Sequence, residues 1–561
     1  MAEQVVSPFH LTYCCVFKAY YPARWQISAA KPGPLRGVTQ GEQNPPTRGA
    51  TPWRVGHDGP GARRPCLHPA MDQAVRTGST RPKALLATVA AGVLVTLLLP
   101  GSRRPLWLDE SASATLAALP KRSFWQVALD REGNGIAHTL LLRGWRHVAP
   151  GDLGLRVPSL MLAALSVVLL VLLAERLLGR RAAMLSVPLL VGNPVYVRYA
   201  VEARTYALVL VVACTSGLLL LRAVRRPTTT SWVVYGLVTG LGVYAHYFVL
   251  LLPLAHLCAV LLRRPDGPGS GPRLLAHLVP GGVAFIVAAA GLLRLAGAGG
   301  AGGVGYLQGS PFARLVVTAT ALLLPLAGVV LAVALNRRAR SGRPVPLRVS
   351  EPAWSWVLLV SWLVVPLAAA VVVSLVSTPL LAPRYLIICL PPAVLLLAGA
   401  LARLGSRTAT AIAGVAAVVG VLLGSAYVDR QSEDWPSAAR TIQTAAAPGD
   451  GVLFLAPYVR IPFARYWDGA AAERAGIVPV LPSLGWRDDP SPLFSVQPLP
   501  GDSVAAAVAG LPRVWVVVSH VQLYGGADPI YEADQAALRA TFVLTMTQPY
   551  HGVLVQRWDR R

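Results

Sequence analysis

The sequence predicts a mainly α, polytopic membrane protein of about eleven transmembrane helices, followed by a small α/β domain. Three observations carry this. The chain is 54% hydrophobic and only 14% charged over 561 residues, a balance typical of integral membrane proteins. Apolar runs of near-spanning length recur from residue 84 to residue 428. The loops between them alternate in charge, with Arg concentrated in every second one.

Residues 1–70 differ from the rest. They hold Cys14, Cys15 and Cys66, half of the six cysteines, and many Pro and Gly, with no sustained period. They resemble neither a signal nor a transit peptide. Met71, a short basic stretch (Arg76 to Lys83) and then the first apolar run read as a natural start, so 1–70 is expected to be a disordered or mis-assigned extension. Cys214, Cys258 and Cys389 lie inside apolar runs, where Cys behaves as a small hydrophobe, and no disulfide framework is implied. The net charge of +25 does not indicate nucleic-acid binding, because the basic residues are spread over loops between apolar runs. Only four of them are Lys, and the Arg, Ala and Gly richness suits a high-GC genome.

Spans are expected near 84–100, 157–174, 182–197, 205–221, 231–245, 248–262, 274–293, 315–335, 354–376, 385–402 and 408–428. Loops carrying Arg176, Arg180 and Arg181, then Arg222, Arg225 and Arg226, then Arg263, Arg264 and Arg273, then Arg337 to Arg348, then Arg403 and Arg407 read as cytoplasmic. Loops 101–156, 198–204, 294–314, 377–384 and everything after 428 then face outward. The basic flank before the first span agrees with this polarity, and a bacterial plasma membrane is the expected location. Ser231 to Leu262 tests the map, since it has no Asp, Glu, Lys or Arg over 32 residues. Basic flanks on both sides require a hairpin with its tip at Tyr244-Ala-His246-Tyr247-Phe248; a single span would move every later loop to the wrong side.

In the first outward loop, Ser123–Ala128 and Ala137–Val148 read as short interfacial helices anchored by Trp125 and Trp145. After Asp429 the pattern becomes that of a soluble domain. Asp434-Trp-Pro436 opens a helix to about Ala447, with Pro in its first turn. Val452–Ala456, Val478–Leu481, Val514–Ser519 and Val553–Trp558 read as strands and Pro529–Leu538 as a helix. The domains expected are thus the 1–70 extension, a transmembrane domain 71–428 and an extracytoplasmic α/β domain 429–561.

Unusual polar residues collect on the outward side: Asp109, Glu110, Asp130, Glu132, His138, Glu202, Arg204, Tyr206, His246, Tyr247, Arg384 and Tyr385. Carboxylates at a bilayer surface are costly unless hydrated, paired or working. Asp109 and Glu110 read as a catalytic base with its neighbour, or as a helix N-terminus ahead of Ser111–Leu119. Asp130 reads as a second site carboxylate or a helix end. Glu202 reads as a site residue or an ion-paired hairpin tip, with Tyr206 one turn on. Arg204 and Arg384 read as phosphate ligands or as snorkelling cations. His138 and His246 read as site residues or satisfied interfacial polar groups. The glycine-rich run 296–305 lacks the phosphate-loop pattern and reads as an outer loop or lid.

Trp107-Leu-Asp109-Glu110 after a first span, an Asp some twenty residues later, Arg143-Gly-Trp145, Leu155-Arg-Val-Pro-Ser159, Glu202-Ala-Arg-Thr-Tyr206, Ala245-His-Tyr-Phe248 and Pro383-Arg-Tyr385 together resemble the GT-C membrane glycosyltransferases. The resemblance is nearest to the protein O-mannosyltransferase and lipid A aminoarabinose transferase branch (RgtA/B/C/D-like, family 39). It covers 84–428, and the tail more loosely. It implies a polyprenyl-phosphate sugar donor, with Asp109 matching the family's catalytic carboxylate, Glu110 beside it, and Arg384 and Arg204 near the lipid phosphate. One departure is Gly135-Ile-Ala-His-Thr139, where many relatives carry a Pro-Leu-Tyr-Tyr-like stretch; His138 then stands in for a Tyr contact.

The expectation is therefore a transferase of a mannose-like or pentose sugar from that donor to a protein, lipid or cell-wall glycan acceptor, by an inverting displacement. A divalent metal at Asp109 and Glu110 is compatible and not required. The alternatives are a transporter or flippase of lipid-linked sugars, which would place charge at mid-membrane in broken helices or repeats, and a non-catalytic cell-wall scaffold.

Overall fold

The computed structural model describes residues 81–99, 103–130, 133–262, 270–291, 353–376, 380–430, 432–455, 457–481, 501–519 and 529–561, with a few positions between 312 and 318. The expectations for residues 1–70, for Glu132, for the glycine-rich run 296–305 and for most of the span 315–335 fall outside these residues.

Among the described residues, four helices are long and apolar enough to cross a membrane: Asp152–Leu178, Tyr206–Arg225, Trp354–Val376 and Ser406–Asp429. Shorter apolar helices cover Lys83–Leu97, Tyr247–Leu261, Ala276–Ala289 and Ile387–Leu401. The chain is a multi-pass, mainly helical membrane protein. Tyr206–Arg225 and Asp152–Leu178 are the most buried of the four, with 61% and 56% of their apolar stretches covered, and Ser406–Asp429 the least, with 22%. The core is built from Leu170, Leu173, Tyr196, Leu210, Trp362 and Leu395 among many others. Outside it, Ile286, Val372, Leu375, Val415 and Leu422 are exposed, as suits a lipid-facing surface that has no water to avoid.

The run 182–197 is two helices, Arg180–Val191 and Pro194–Tyr199. Asn193 caps the second, its side chain accepting from the Val195 N–H at 2.9 Å, and Pro194 sits at the first helical position, where its missing N–H costs nothing. The break is also a close crossing. A Cβ on Gly192 would lie 2.2 Å from Ala417 Cα, and one on Gly420 would lie 1.7 Å from the Gly192 carbonyl. Glycine here lets helix Ser406–Arg430 pack backbone to backbone.

The charge-free stretch is a hairpin, as the loop charges require. Helix Thr229–Gly242 leads to a tip at 243–246, then a 3₁₀ turn Tyr247–Leu250 and helix Leu251–Leu261. The short helices of the first loop are Lys121–Asp130 and Ile136–Trp145. A third precedes them, Leu108–Ala118, with Trp107 at its N-cap. Asp109 therefore lies inside the first turn and does not cap it.

The C-terminal segment is a five-stranded mixed sheet of order β2-β1-β3-β5-β4, where β1 is Gly451–Phe454, β2 Val478–Leu481, β3 Arg513–Ser519, β4 Phe542–Tyr550 and β5 Val553–Arg560. β1 runs parallel to β2 and β3, and β5 runs antiparallel to β3 and β4. Alternation along β3 splits the side chains between two faces. Trp515 and Val517 join Phe454, Phe463 and Trp435 on one side. Val514, Val516 and Val518 join Leu538, Phe542 and Trp558 on the other. β4 has no counterpart in the expected strands, because most of its side chains are exposed and polar residues interrupt its apolar pattern.

Candidate active site

Four loops and the first turn of Leu108–Ala118 meet at one end of the helical bundle. The hairpin tip is tied to the other loops by backbone. The Ala137 N–H donates to the Tyr244 carbonyl at 3.1 Å, and the Thr205 hydroxyl to the Ala245 carbonyl at 2.6 Å. The Asn134 amide group bridges, with Nδ2 3.3 Å from His246 Nε2 and Oδ1 accepting from the Tyr247 N–H.

At the centre is the Asp109 carboxylate. Nη2 of Arg204 lies 3.6 Å and Nη1 of Arg384 3.5 Å from the same oxygen, Oδ2. All three side chains keep partial solvent contact, at 27%, 22% and 15%. Arg204 is held by Ser113, whose hydroxyl accepts from Nη1 at 3.0 Å. The Arg384 guanidinium lies 5.2 Å from the centre of the Tyr385 ring. That ring stacks on Phe248, with centroids 5.6 Å apart, and meets His246 at 5.9 Å. The arrangement is one carboxylate between two cations, walled by aromatic rings.

Glu110 turns the other way. It is 1% exposed and takes Arg156 in a fork, with Nε–Oε1 2.7 Å and Nη2–Oε2 2.5 Å. It also accepts from the Ala203 N–H at 2.8 Å and the Trp107 N–H at 3.4 Å. With those four bonds its oxygens are saturated, so Glu110 fixes the loops. Glu202 is buried against Arg198, four residues back, again a structural pair. Tyr206 packs on Tyr199 with ring centroids 4.9 Å apart.

His138 Nε2 lies 3.0 Å from the Ser159 hydroxyl, and that hydroxyl lies 3.2 Å from the Arg204 carbonyl. Burial first, and the Arg204 charge second, push the His138 imidazole down to about 3. Burial, then Arg204 and Arg384, do the same to His246, again to about 3. Both rings are neutral at physiological pH and exchange hydrogen bonds without carrying charge. Ser113, Asn134, His138, Thr139, Arg204 and Thr205 line a small open cleft beside Asp109. Asp130 closes helix Lys121–Asp130, but its side chain lies outside the described residues.

Among the described residues no group of three or more His, Cys, Asp and Glu converges as a metal site would, and the carboxylates of Asp109 and Glu110 face different arginines. Asn134 and Ser113 had no place in the sequence reading, and Arg156 and Ser159 entered it only as part of the stretch Leu155–Ser159, with no role of their own. A buried Arg at the entry of an apolar run was the available signal for Arg156; its partner, 46 residues away, was beyond any local pattern.

Fold and site define a multi-pass, mainly helical membrane protein with a charged cleft at one end of its bundle. Residues 147–293 match the family described as dolichyl-phosphate-mannose-protein mannosyltransferase. The chain is similar in structure to ArnT from Cupriavidus metallidurans in the apo state, with a TM-score of 0.54 and 14% identity, covering 85% of this chain and 98% of that one. It is also similar to the same protein bound to undecaprenyl phosphate, with a TM-score of 0.52 and 15% identity, covering 84% and 97%. At this identity the likeness speaks for the fold. No curated protein sequence matches the chain.

Proposed function

We propose that this protein transfers a sugar from a polyprenyl-phosphate donor to an acceptor hydroxyl on a protein, lipid or glycan. The observation that carries the reading is Asp109 Oδ2 between Arg204 and Arg384, 3.6 and 3.5 Å away. A prenyl-linked sugar phosphate brings an anion to two guanidinium groups at the end of an apolar bundle, and guanidinium grips phosphate bidentately. Undecaprenyl phosphate, bound by the structurally similar ArnT, has this chemistry.

The reaction is a single displacement. The acceptor O–H gives its proton to the Asp109 carboxylate, and the acceptor oxygen attacks the anomeric carbon. The bond from that carbon to the phosphate oxygen breaks, with inversion. The departing prenyl phosphate gains charge, which Arg204 and Arg384 balance. Because both arginines approach Oδ2, the other carboxylate oxygen is left to take the proton.

The reading includes the membrane arrangement expected from the loop charges. A catalytic domain of about eleven spans over 71–428 sits in a bacterial plasma membrane, and the site, the first loop 101–156 and the domain 429–561 face outward. Nucleotide sugars are not supplied on that side, so the donor must come as a lipid.

The test is sugar transfer from radiolabelled polyprenyl-phosphate donors in membranes carrying the wild type or Asp109→Asn at equal protein level. Loss of transfer in the variant alone supports the reading. Equal transfer by both sinks Asp109 as the base.

A further inference from the structure

Helix Leu108–Ala118 has a poor start of its own. Trp107 occupies the N-cap and offers no side-chain cap bond, so the first N–H groups need partners from elsewhere. The partner comes from 325 residues downstream, where Glu433 Oε2 accepts the Leu108 N–H at 2.8 Å. The same oxygen accepts the Trp435 indole N–H at 2.6 Å. Glu433 is 4% exposed and is wedged by the β4–β5 turn. Gly552, at φ +71°, brings its backbone so close that a Cβ there would lie 2.9 Å from Glu433 Cγ, and the Asp434 N–H donates to the His551 carbonyl at 2.9 Å.

Neighbouring contacts run the same way. The Leu106 N–H donates to the Tyr466 hydroxyl at 2.7 Å. Tyr466 and Arg465 both grip Asp152, at 2.5 and 2.7 Å. Arg104 pairs with Asp429, and Ile461 packs with Leu116, Phe124 and Ile136.

We propose that Glu433 is a positioning residue for Asp109, and that the C-terminal domain serves the site by completing the helix turn that carries this carboxylate. Leu108 is the first helical residue and Asp109 the second, so a cap on Leu108 sets the backbone one residue from the base. A carboxylate suits a helix N-terminus both as acceptor and as charge. Glu433 touches no reacting atom in this scheme. The proposal rests on Asp109 acting as the base, and small displacements of a base are costly to rate.

The experiment uses the full-length protein and the variants Glu433→Ala and Glu433→Gln. It measures kcat and KM for the polyprenyl-phosphate donor, undecaprenyl phosphate affinity, and amide exchange in the peptide 106–118. The expected result for Glu433→Ala is a fall in kcat of roughly ten- to a hundredfold, affinity for undecaprenyl phosphate within about twofold, and faster exchange confined to the first turn. Glu433→Gln keeps an acceptor oxygen and should recover much of the rate. Unchanged exchange and kcat in Glu433→Ala would overturn the proposal, as would a uniform loss of protection, affinity and rate, which is plain unfolding. Exchange reads the positioning even if Asp109→Asn turns out to be active, so failure of the functional reading and failure of the cap are told apart.

Discussion

Glu110 and Arg156 meet in a two-bond fork across 46 residues of chain, both nearly excluded from solvent. The guanidinium also donates to the carbonyls of Arg104 and Pro105 at 2.5 and 3.1 Å. This pair locks the approach to helix Leu108–Ala118 onto helix Asp152–Leu178. Replacing only one member leaves the other charge buried and alone, which costs about 3–5 kcal/mol. Arg156→Met should therefore lower the melting temperature of the purified protein sharply, and Glu110→Gln should do so less. If Arg156→Met melts like the wild type, the pair is not a structural lock.

Arg384 and Asp109 should separate in kinetics. Arg384→Ala is expected to weaken undecaprenyl phosphate binding about tenfold or more and to lower kcat, since in the proposed reaction the cation acts on bound and departing phosphate alike. Asp109→Asn should leave that affinity intact while kcat falls by roughly 10²- to 10⁴-fold. Titration of each variant with undecaprenyl phosphate, set beside its turnover, checks both.

His138 and His246 set a pH dependence of stability. Each is lowered from 6.5 to about 3 by burial and nearby arginine. Between those values the unfolded chain binds a proton that the folded protein refuses. Their contribution is thus fully present above about pH 6.5 and is lost as pH falls from there toward 3, by up to about 1.4 kcal/mol per pH unit for each ring. Thermal melts from pH 7.5 to 4.5 should show that decline, and His138→Gln should flatten it. An unchanged slope in the variant would contradict the assignment.

The crossing of Gly192 with Gly420 should tolerate no side chain. Gly420→Val places a Cβ where the Gly192 carbonyl oxygen now sits, 1.7 Å away, so helix Ser406–Arg430 must move outward. A severe loss of folded protein is expected, whereas Gly414→Ala on the same helix, with nothing within 4 Å, should be near neutral. Monodisperse yield after detergent extraction measures the difference.

Sequence reading found what is periodic or charged. The hairpin at 231–262 followed from the loop Arg residues on either side, because membrane sidedness is a one-dimensional rule. Asp109, Arg204 and Arg384 were placed on one side by the same rule, and the structure adds that they converge within salt-bridge distance. The division of labour between Asp109 and Glu110 could not be read, because neighbours in a helix point 100° apart and their partners come from distant segments. The break at Gly192-Asn193 was hidden inside an apolar run. Helix Leu108–Ala118 was foreseen only as a direction from Asp109, since its cap lies in another part of the chain.

That remote cap also imposes an order on biosynthesis. The turn bearing Asp109 leaves the ribosome early, and the carboxylate that finishes it follows 325 residues later. A chain stalled or cut before residue 433 carries the carboxylate and both arginines, yet presents Asp109 on an unfinished turn. On the proposed function, competence for transfer arrives with the last quarter of translation, after the described apolar helices up to Arg430 have been made.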